Sequence, residues 1–151
     1  MSKFTQANGA AFSSNRDDWE TPEDLFEQIE HLYGPFTLDP ASSDKNAKTV
    51  KHFTIEDDGL KRSWKGETVF VNPPYGRKIS EWVRKAFEEH FLNGVKVVML
   101  LPARTDTKWF HDYIYKLKDV EILFLEGRVK FEIDGKSLNS APFPSMVVVY
   151  K

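Results

Sequence analysis

Two short apolar runs that lack alternation constrain the fold of this chain most strongly. Residues 69–71 and 95–101 are apolar at nearly every position, with Lys96 as the exception. A strand with one solvated face alternates apolar and polar residues, whereas a parallel strand that is covered on both faces does not. Both runs therefore predict buried strands of a parallel sheet, which needs helices on each of its faces.

Segments with helical periodicity separate the apolar runs. The first opens at Thr21, predicted as the N-cap, with Pro22 as the first helical residue, and it ends at Gly34. Apolar residues at helical spacing predict a second helix, whose apolar side lies within residues 82–91 and which ends near Asn93-Gly94, and a third helix over residues 109–117.

The remaining strand-like segments complete an alternating pattern. Residues 36–38 and 120–125 predict two further strands, and residues 129–133 and 146–150 predict an antiparallel pair near the C-terminus. Strands and helices that alternate with short joints predict an α/β fold. We therefore expect a three-layer α/β/α sandwich with a mostly parallel central sheet and a C-terminal antiparallel strand pair.

Length and local composition predict one domain. The chain has 151 residues, which is enough for a single core. Residues 1–17 are polar and rich in small residues, which predicts a flexible N-terminal leader. We expect a single domain over residues 18–151.

Composition excludes several classes of chemistry. The absence of cysteine excludes disulfides, thiolate nucleophiles and cysteine metal sites, and it is compatible with a reducing cytoplasm. No apolar stretch approaches the ~20 residues of a membrane span, and the first residues lack the apolar region of a signal peptide. The histidines, at His31, His52, His90 and His111, show no metal-ligand spacing. Because the net charge is -2, any nucleic-acid surface must be a local basic patch.

The tetrad Asn72-Pro73-Pro74-Tyr75 follows the first apolar run and predicts a binding site at a strand end. Each proline fixes its own φ and cannot donate a backbone hydrogen bond, and the residue before a proline favours extended backbone. The tetrad therefore presents a side-chain amide, stiff carbonyl oxygens and an aromatic ring at one point. Ligands of open α/β folds lie beyond the carboxyl ends of the strands. This equipment suits a planar group that carries an amine.

The tetrad and its neighbouring motifs occur in an order that resembles one protein family. In chain order the motifs are Trp19-Glu20-Thr21-Pro22, Leu38-Asp39-Pro40-Ala41-Ser42, Asp58-Gly59-Leu60, Asn72-Pro73-Pro74-Tyr75, Leu101-Pro102-Ala103-Arg104-Thr105-Asp106, Gly127-Arg128-Val129-Lys130-Phe131 and Ala141-Pro142-Phe143-Pro144-Ser145. Over residues 17–151 this pattern resembles the phage DNA N6-adenine methyltransferase family, often called phage Dam. The resemblance implies a minimal Rossmann-like fold that uses S-adenosylmethionine and acts on DNA. It also implies a place in the cytoplasm of a bacterial or phage-infected cell, as a monomer or a homodimer.

The resemblance implies how the tetrad would act. A flipped adenine would donate its two N6 hydrogens to the Asn72 side-chain oxygen and the Pro73 carbonyl oxygen, so that the nitrogen lone pair faces the methyl donor. Pro74 would stiffen the turn that carries both oxygens. Tyr75 would stack on the adenine, and Phe131 would supply a second stacking surface.

Two further groups of contacts are expected. The resemblance implies donor-binding residues in three segments, namely Thr21, Pro22, Asp39, Pro40, Ala41, Asp57 and Asp58. Basic residues past strand ends or in loops on the same side are candidates for phosphate contacts, and they are Arg77, Lys78, Arg104, Lys108 and Arg128. Two features depart from the family pattern. The turn after Asp39 contains no glycine, and only about 33 residues separate Asp39 from Asn72, which leaves little room for two strand–helix units between them.

Other interpretations of the same residues remain open. A cytosine N4 or a glutamine amide also presents an amine that the tetrad could hold. The chain could instead be a nucleic-acid-binding module with little catalytic power. Asp39-Pro40 could be a strand-ending turn, Asp57-Asp58-Gly59 an ordinary turn, and Phe131 a packing residue.

Overall fold

The computed structural model describes residues 19–151. The helices are α1 (Glu23–Tyr33), α2 (Ile79–Asn93) and α3 (Lys108–Tyr113), with a 3-10 turn at Gly59–Lys61. The strands are β1 (Thr68–Val71), β2 (Lys96–Pro102), β3 (Val120–Phe124), β4 (Glu132–Ile133), β5 (Lys136–Ser137) and β6 (Ser145–Tyr150). The expected leader, residues 1–17, lies outside the described residues, as does residue 18 of the predicted domain.

The main sheet is mixed and has the strand order β1-β2-β6-β3. The two apolar runs form β1 and β2 and pair in parallel, as predicted. β6 runs antiparallel to both β2 and β3, so β3 points in the same direction as β1 and β2. A parallel bridge between Leu38 and Val69 adds the backbone around residue 38 to the free edge of β1.

The predicted C-terminal antiparallel pair is wrong. β6 does not pair with residues 129–133 but lies between β2 and β3, in register from Val97 with Tyr150 to Pro102 with Ser145. All six residues of β6 are buried, and such a strand needs hydrogen-bond partners along both edges and cover on both faces. β4 instead pairs with β5 in a separate two-stranded hairpin.

One face of the main sheet is covered by α1. Phe70 of β1 and Glu121 of β3 lie in one row across the sheet, because cross-strand partners point to the same face. The Phe26 ring of α1 lies 5.1 Å from the Phe70 ring. At the other end of the helix, the Tyr33 hydroxyl donates a 2.9 Å hydrogen bond to the Glu121 carboxylate. α1 therefore crosses the sheet from β1 to β3.

The opposite face of the sheet is covered by α2 and α3. Tyr150 of β6 occupies the neighbouring row, which points to the other side because successive side chains in a strand alternate. Its ring lies 5.7 Å from the His90 ring of α2. Its hydroxyl donates a 2.6 Å hydrogen bond to the Tyr113 carbonyl oxygen of α3. The sheet consequently has helix on each side.

Two helices differ from their predicted bounds. α1 begins one residue later than predicted, with Pro22 at the N-cap position and without a side-chain cap. The Thr21 side chain, predicted as the cap, instead accepts a hydrogen bond from the side chain of Asn72. α3 ends at Tyr113, earlier than predicted. Ile114 already leaves helical geometry, with a φ of -132°, and the left-handed φ of 61° at Lys116 prevents a right-handed helix from continuing to residue 117.

One edge of the main sheet gathers the strand ends that carry the sequence motifs. The segment around Leu38, β1, β2 and β3 all run in one direction, so their carboxyl ends meet at the same edge. We call this the carboxyl edge. Asp39, Asn72 and Ala103 follow three of these segments directly. The fold thus brings the motifs together although they are far apart in the sequence.

Tyr150→Phe tests the contact between β6 and α3. The change removes a buried hydroxyl and its hydrogen bond to the Tyr113 carbonyl oxygen, so the free energy of unfolding should fall by about 1–2 kcal/mol. Urea unfolding followed by circular dichroism measures the difference. Tyr115→Phe is the matched control, because Tyr115 is exposed, and it should change stability by less than about 0.5 kcal/mol. Equal effects of the two substitutions would contradict the assigned contact.

Candidate active site

Asn72 is held at the carboxyl edge by the segment that precedes α1. Its side-chain nitrogen, Nδ2, donates hydrogen bonds to the Trp19 carbonyl oxygen and to Thr21 Oγ1, the latter at 3.0 Å. The side-chain oxygen of Asn72, Oδ1, is buried. No described residue donates a hydrogen bond to Oδ1.

The orientation of this amide follows from its partners. A carbonyl oxygen can only accept a hydrogen bond, so the nitrogen of the Asn72 amide must face the Trp19 carbonyl. Oδ1 then remains as a buried acceptor. Leaving such a group unpaired costs about 1–3 kcal/mol, and an unpaired buried group in a native structure calls for an explanation. The geometry provides an acceptor for an N–H group of a ligand.

Four aromatic side chains pack together beside the tetrad, mostly edge to face. We call Trp19, Tyr75, Phe131 and Phe143 the aromatic cluster, and either phenylalanine ring lies 5.4 to 6.0 Å, between ring centroids, from each of the other three rings. Tyr75 and Phe131 are buried, and the Tyr75 hydroxyl donates a 3.0 Å hydrogen bond to the Leu100 carbonyl oxygen. The two rings expected to stack on a base therefore contact each other. A base can reach the buried amide oxygen only if the residues that cover it move.

The β4 hairpin holds the segment that orients Asn72. Glu20 pairs with Glu132 through two backbone hydrogen bonds of 3.0 and 2.9 Å. The Glu20 carboxylate also accepts hydrogen bonds from Asn46 Nδ2 at 3.3 Å and from the Gly135 backbone N–H at 3.4 Å. Segments from three distant parts of the sequence therefore converge beside the tetrad.

Asp39 lies buried at the carboxyl edge and organises the loop that follows it. Its carboxylate accepts hydrogen bonds from the Lys48 backbone N–H at 3.0 Å and from the Ala41 backbone N–H at 3.4 Å. Burial raises the pKa of Asp39 to about 6, although these hydrogen bonds and the charges of His52 and Lys48 lower it. A contact with a methyl donor, as the resemblance implies, would use the remaining lone pairs of this carboxylate.

Asp57 and Asp58 belong to a turn that packs against Pro40. The Asp57 carboxylate accepts a 2.9 Å hydrogen bond from the Thr54 backbone N–H, which lowers the pKa of Asp57. Asp58 adopts a left-handed φ of 58°. A β-carbon at Gly59 would lie 2.1 Å from the Pro40 carbonyl oxygen. The two motifs therefore touch through backbone atoms, an approach that only glycine permits.

The other residues expected to bind the donor also reach the carboxyl edge. Thr21 reaches it through the hydrogen bond from Asn72, and Pro22 follows as the N-cap of α1. Ala41 reaches it through the hydrogen bond to the Asp39 carboxylate. The expected donor-binding residues thus come from three segments that meet at this edge.

The five basic residues expected to contact phosphate are exposed, and we call them the basic rim. They are Arg77, Lys78, Arg104, Lys108 and Arg128. The positive charge of Arg104 opposes the rise that burial causes in the pKa of Tyr75, which indicates that this arginine lies near the tetrad. Lys108 forms a 2.9 Å ion pair with Asp112, so part of its charge is already neutralised within α3.

Two open surface grooves lie away from the tetrad. One, of about 470 Å³, is at the end of α1, and the other, of about 360 Å³, lies between α2 and α3. Neither groove is lined by a tetrad residue. Within residues 19–151, no group of three or more His, Cys, Asp and Glu side chains could hold a metal ion. No helix in this part of the chain is long and apolar enough to cross a membrane.

The sequence does not predict the contacts that two residues make at the site. The Trp19 carbonyl orients the amide of Asn72, and Phe143 packs against Tyr75. Each lies within a quoted motif, and an aromatic residue inside an otherwise polar or proline-rich motif is the signal that could have identified it. Ser145, in the same motif as Phe143, has a buried hydroxyl without a partner among the described residues.

These features define a mixed α/β protein with a buried acceptor at the end of a strand, for which residues 19–151 supply no hydrogen-bond donor. A family model described as DNA N-6-adenine-methyltransferase (Dam) matches residues 9–151, and the chain belongs to this family. The predicted resemblance to phage Dam is thereby confirmed.

Two phage proteins illustrate the relationship. A DNA N-6-adenine-methyltransferase of Escherichia phage T1 is 37% identical over 121 residues, which cover 80% of this chain and 49% of the relative. A DNA N-6-adenine-methyltransferase of Haemophilus phage HP1 (strain HP1c1) is 28% identical over 141 residues, which cover 91% of this chain and 80% of the relative. The chain thus spans about half of the T1 protein and most of the HP1 protein.

Asp39 predicts a pH dependence of stability. Its pKa is about 6 in the folded protein against an ordinary value of 3.8 for an aspartate, so the folded state binds more protons between these values. The free energy of unfolding should therefore lose a contribution on the order of 3 kcal/mol as the pH rises from about 4 to 6. Urea unfolding at a series of pH values measures this loss. Asp39→Asn cannot ionise and should lack it, whereas parallel pH profiles for the two proteins would argue against the raised pKa.

Proposed function

We propose that this protein transfers a methyl group from S-adenosylmethionine to N6 of adenine in DNA. The observation that carries the proposal is the buried Asn72 Oδ1, an acceptor without a donor among the described residues. It follows a buried strand at the carboxyl edge, where open α/β folds bind their ligands. Membership of the Dam family supports the same reaction.

Asn72 and Pro73 act on the target amine. A stacked base cannot present its amine to a protein pocket, so the adenine is first extruded from the duplex. Oδ1 and the Pro73 carbonyl oxygen then accept the two N6 hydrogens, which draws the nitrogen toward tetrahedral geometry and keeps its lone pair out of the ring. Pro74 stiffens the turn that carries both oxygens. Orientation of this kind lowers a barrier by roughly 7–11 kcal/mol, so no covalent nucleophile is needed.

Residues from three segments would hold the methyl donor. S-adenosylmethionine supplies an electrophilic methyl group when it is bound. The carboxylates of Asp39, Asp57 and Asp58 can accept hydrogen bonds from sugar hydroxyls or from an adenosine amine. The proposed donor site comprises Pro22, Asp39, Pro40, Ala41, Asp57 and Asp58, while the hydroxyl of Thr21, which precedes Pro22, is bonded to Asn72. The contact between Pro40 and Gly59 supports this grouping, because it joins two of the segments.

The proposed fold is a minimal Rossmann-like sandwich. Helices on both faces of the sheet and a ligand site at the carboxyl ends of parallel segments support it. Tyr75 and Phe131 stack on the extruded adenine once the aromatic cluster opens. The basic rim contacts phosphate groups, which fixes the position of the duplex without reading its sequence. Such an enzyme acts where DNA is accessible, in the cytoplasm of a bacterial or phage-infected cell.

Asn72→Ala tests the reaction. The protein is incubated with tritiated methyl donor and unmethylated DNA, and the modified bases are identified by mass spectrometry. The parent should produce N6-methyladenine, and the variant should lose at least about 100-fold in rate because an oriented acceptor is removed. Asn93→Ala, at the end of α2, is the matched control and should react at the parent rate. Circular dichroism shows whether each variant is folded.

Other outcomes of this assay would support a different target or a different function. N4-methylcytosine would indicate the chemically similar cytosine target. DNA binding without any transfer would indicate a binding module that retains the fold. Unchanged turnover in a folded Asn72→Ala protein would refute the role of the amide.

Arg77→Gln tests the basic rim. Each phosphate contact releases counterions, so the affinity for duplex DNA falls with salt in proportion to the number of contacts. The substitution should weaken binding and lower the slope of log affinity against log salt concentration by about 1. Fluorescence anisotropy with a labelled duplex measures both quantities. Lys118→Gln is the control, since this exposed residue precedes β3 at the opposite edge, and an equal change in both variants would count against the rim.

A further inference from the structure

We infer that Thr21 is a positioning residue, which keeps the Asn72 amide in the orientation that the proposed methyl transfer requires. This inference rests on the proposed function. The Thr21 hydroxyl oxygen accepts the 3.0 Å hydrogen bond from Asn72 Nδ2. Thr21 is only 3% exposed, so water does not compete effectively for this bond. This role differs from the contact with the methyl donor that the family resemblance implies for Thr21.

An asparagine amide needs such a device because its two ends have nearly the same shape. Rotation by 180° exchanges Oδ1 and Nδ2, and a rotated amide would present two N–H donors to an amine that itself carries hydrogens. Nδ2 has two hydrogens, and the Trp19 carbonyl oxygen can bind one of them. Thr21 Oγ1 binds the second. Two acceptors on the nitrogen fix the plane of the amide as well as the position of Oδ1.

The local structure around Thr21 departs from what its sequence position favours. A threonine directly before a helix usually caps it by bonding a free backbone N–H. Here α1 has no side-chain cap, and Pro22 occupies the N-cap position. The Thr21 hydroxyl serves Asn72 instead. Backbone pairing of Glu20 with Glu132 holds the preceding residue in place. A local preference that is overridden in this way is expected at functional positions.

Two substitutions separate this role from others. Thr21→Val keeps the shape of the side chain but removes the acceptor, and Thr21→Ser keeps the acceptor. The single-turnover rate at saturating DNA and methyl donor should fall about tenfold in Thr21→Val, which corresponds to one neutral hydrogen bond. Thr21→Ser should restore the rate to within about threefold of the parent. The affinity for S-adenosylmethionine, measured by calorimetry, should be the same in all three proteins.

Thr37→Val is the matched control. The Thr37 hydroxyl also forms two hydrogen bonds, because it donates to the Glu67 carboxylate and accepts from the Thr68 backbone N–H. These bonds lie at the end of the strands opposite the carboxyl edge. It should lower thermal stability without slowing the single-turnover rate of folded protein. A Thr21→Val protein with weakened donor affinity and a normal saturated rate would overturn the inference in favour of donor binding. A normal rate with only reduced stability would overturn it in favour of a structural role.

The orientation can also be observed without turnover. In nuclear magnetic resonance spectra, the Asn72 side-chain N–H signals are identified by their absence in Asn72→Ala. Their exchange with water should accelerate at least about tenfold in Thr21→Val and stay near the parent value in Thr21→Ser. If the parent transfers no methyl group, the proposed function fails, and this measurement still decides whether Thr21 orients the amide. Identical exchange in the parent and Thr21→Val would overturn the inference.

Discussion

The hydrogen bond from Asn72 Nδ2 to the Trp19 carbonyl oxygen is the interaction on which the site depends. A backbone carbonyl cannot donate, so this single contact decides which end of the amide faces the protein and which end faces a ligand. The result is a buried acceptor, Oδ1, at the end of β1. A buried acceptor that finds no donor among residues 19–151 costs stability on the order of 1–3 kcal/mol. An incoming hydrogen-bond donor, such as an amine, can recover that energy.

The same contact explains why distant segments converge at the tetrad. Trp19 contributes its carbonyl oxygen to Asn72 and its ring to the aromatic cluster. The backbone pairing of Glu20 with Glu132 connects that segment to the β4 hairpin. Opening the cluster costs edge-to-face contacts worth about 0.5–1.5 kcal/mol each, while stacking of a base returns about 1–3 kcal/mol. Stacking of one base therefore offsets the loss of about two of the five ring contacts in the cluster.

Sequence patterns predict where the strands of this protein lie better than they predict which strands pair with each other. The apolar runs predict β1 and β2 because burial on both faces leaves a local trace in the sequence. β6 leaves the same trace, yet its partners are chosen by the whole sheet, so the expected hairpin with residues 129–133 is wrong. The early end of α3 could not be predicted either. The backbone is left-handed at Lys116, and a lysine gives no sequence signal for that conformation, as a glycine would.

For the site as well, neighbouring residues predict where a motif lies but not which distant residues it contacts. The position of the tetrad at a strand end is predicted from its prolines and the run before it. The partners of Asn72 could not be predicted, because 51 and 53 residues separate it from Thr21 and Trp19. Thr21 has a convincing local role as a helix cap, and the folded protein uses it differently. A preference read from neighbouring residues fails where a tertiary contact competes for the same side chain.

A structure of the protein with an adenine-containing duplex and an unreactive analogue of the methyl donor would show whether Asn72 accepts a hydrogen bond from the target amine. We expect an extruded adenine whose N6 lies within about 2.7–3.2 Å of Asn72 Oδ1, with Nδ2 still bonded to the Trp19 carbonyl and the aromatic cluster opened around the base. Oδ1 paired with a donor of the protein itself, and the target base bound away from the tetrad, would contradict this role of Asn72.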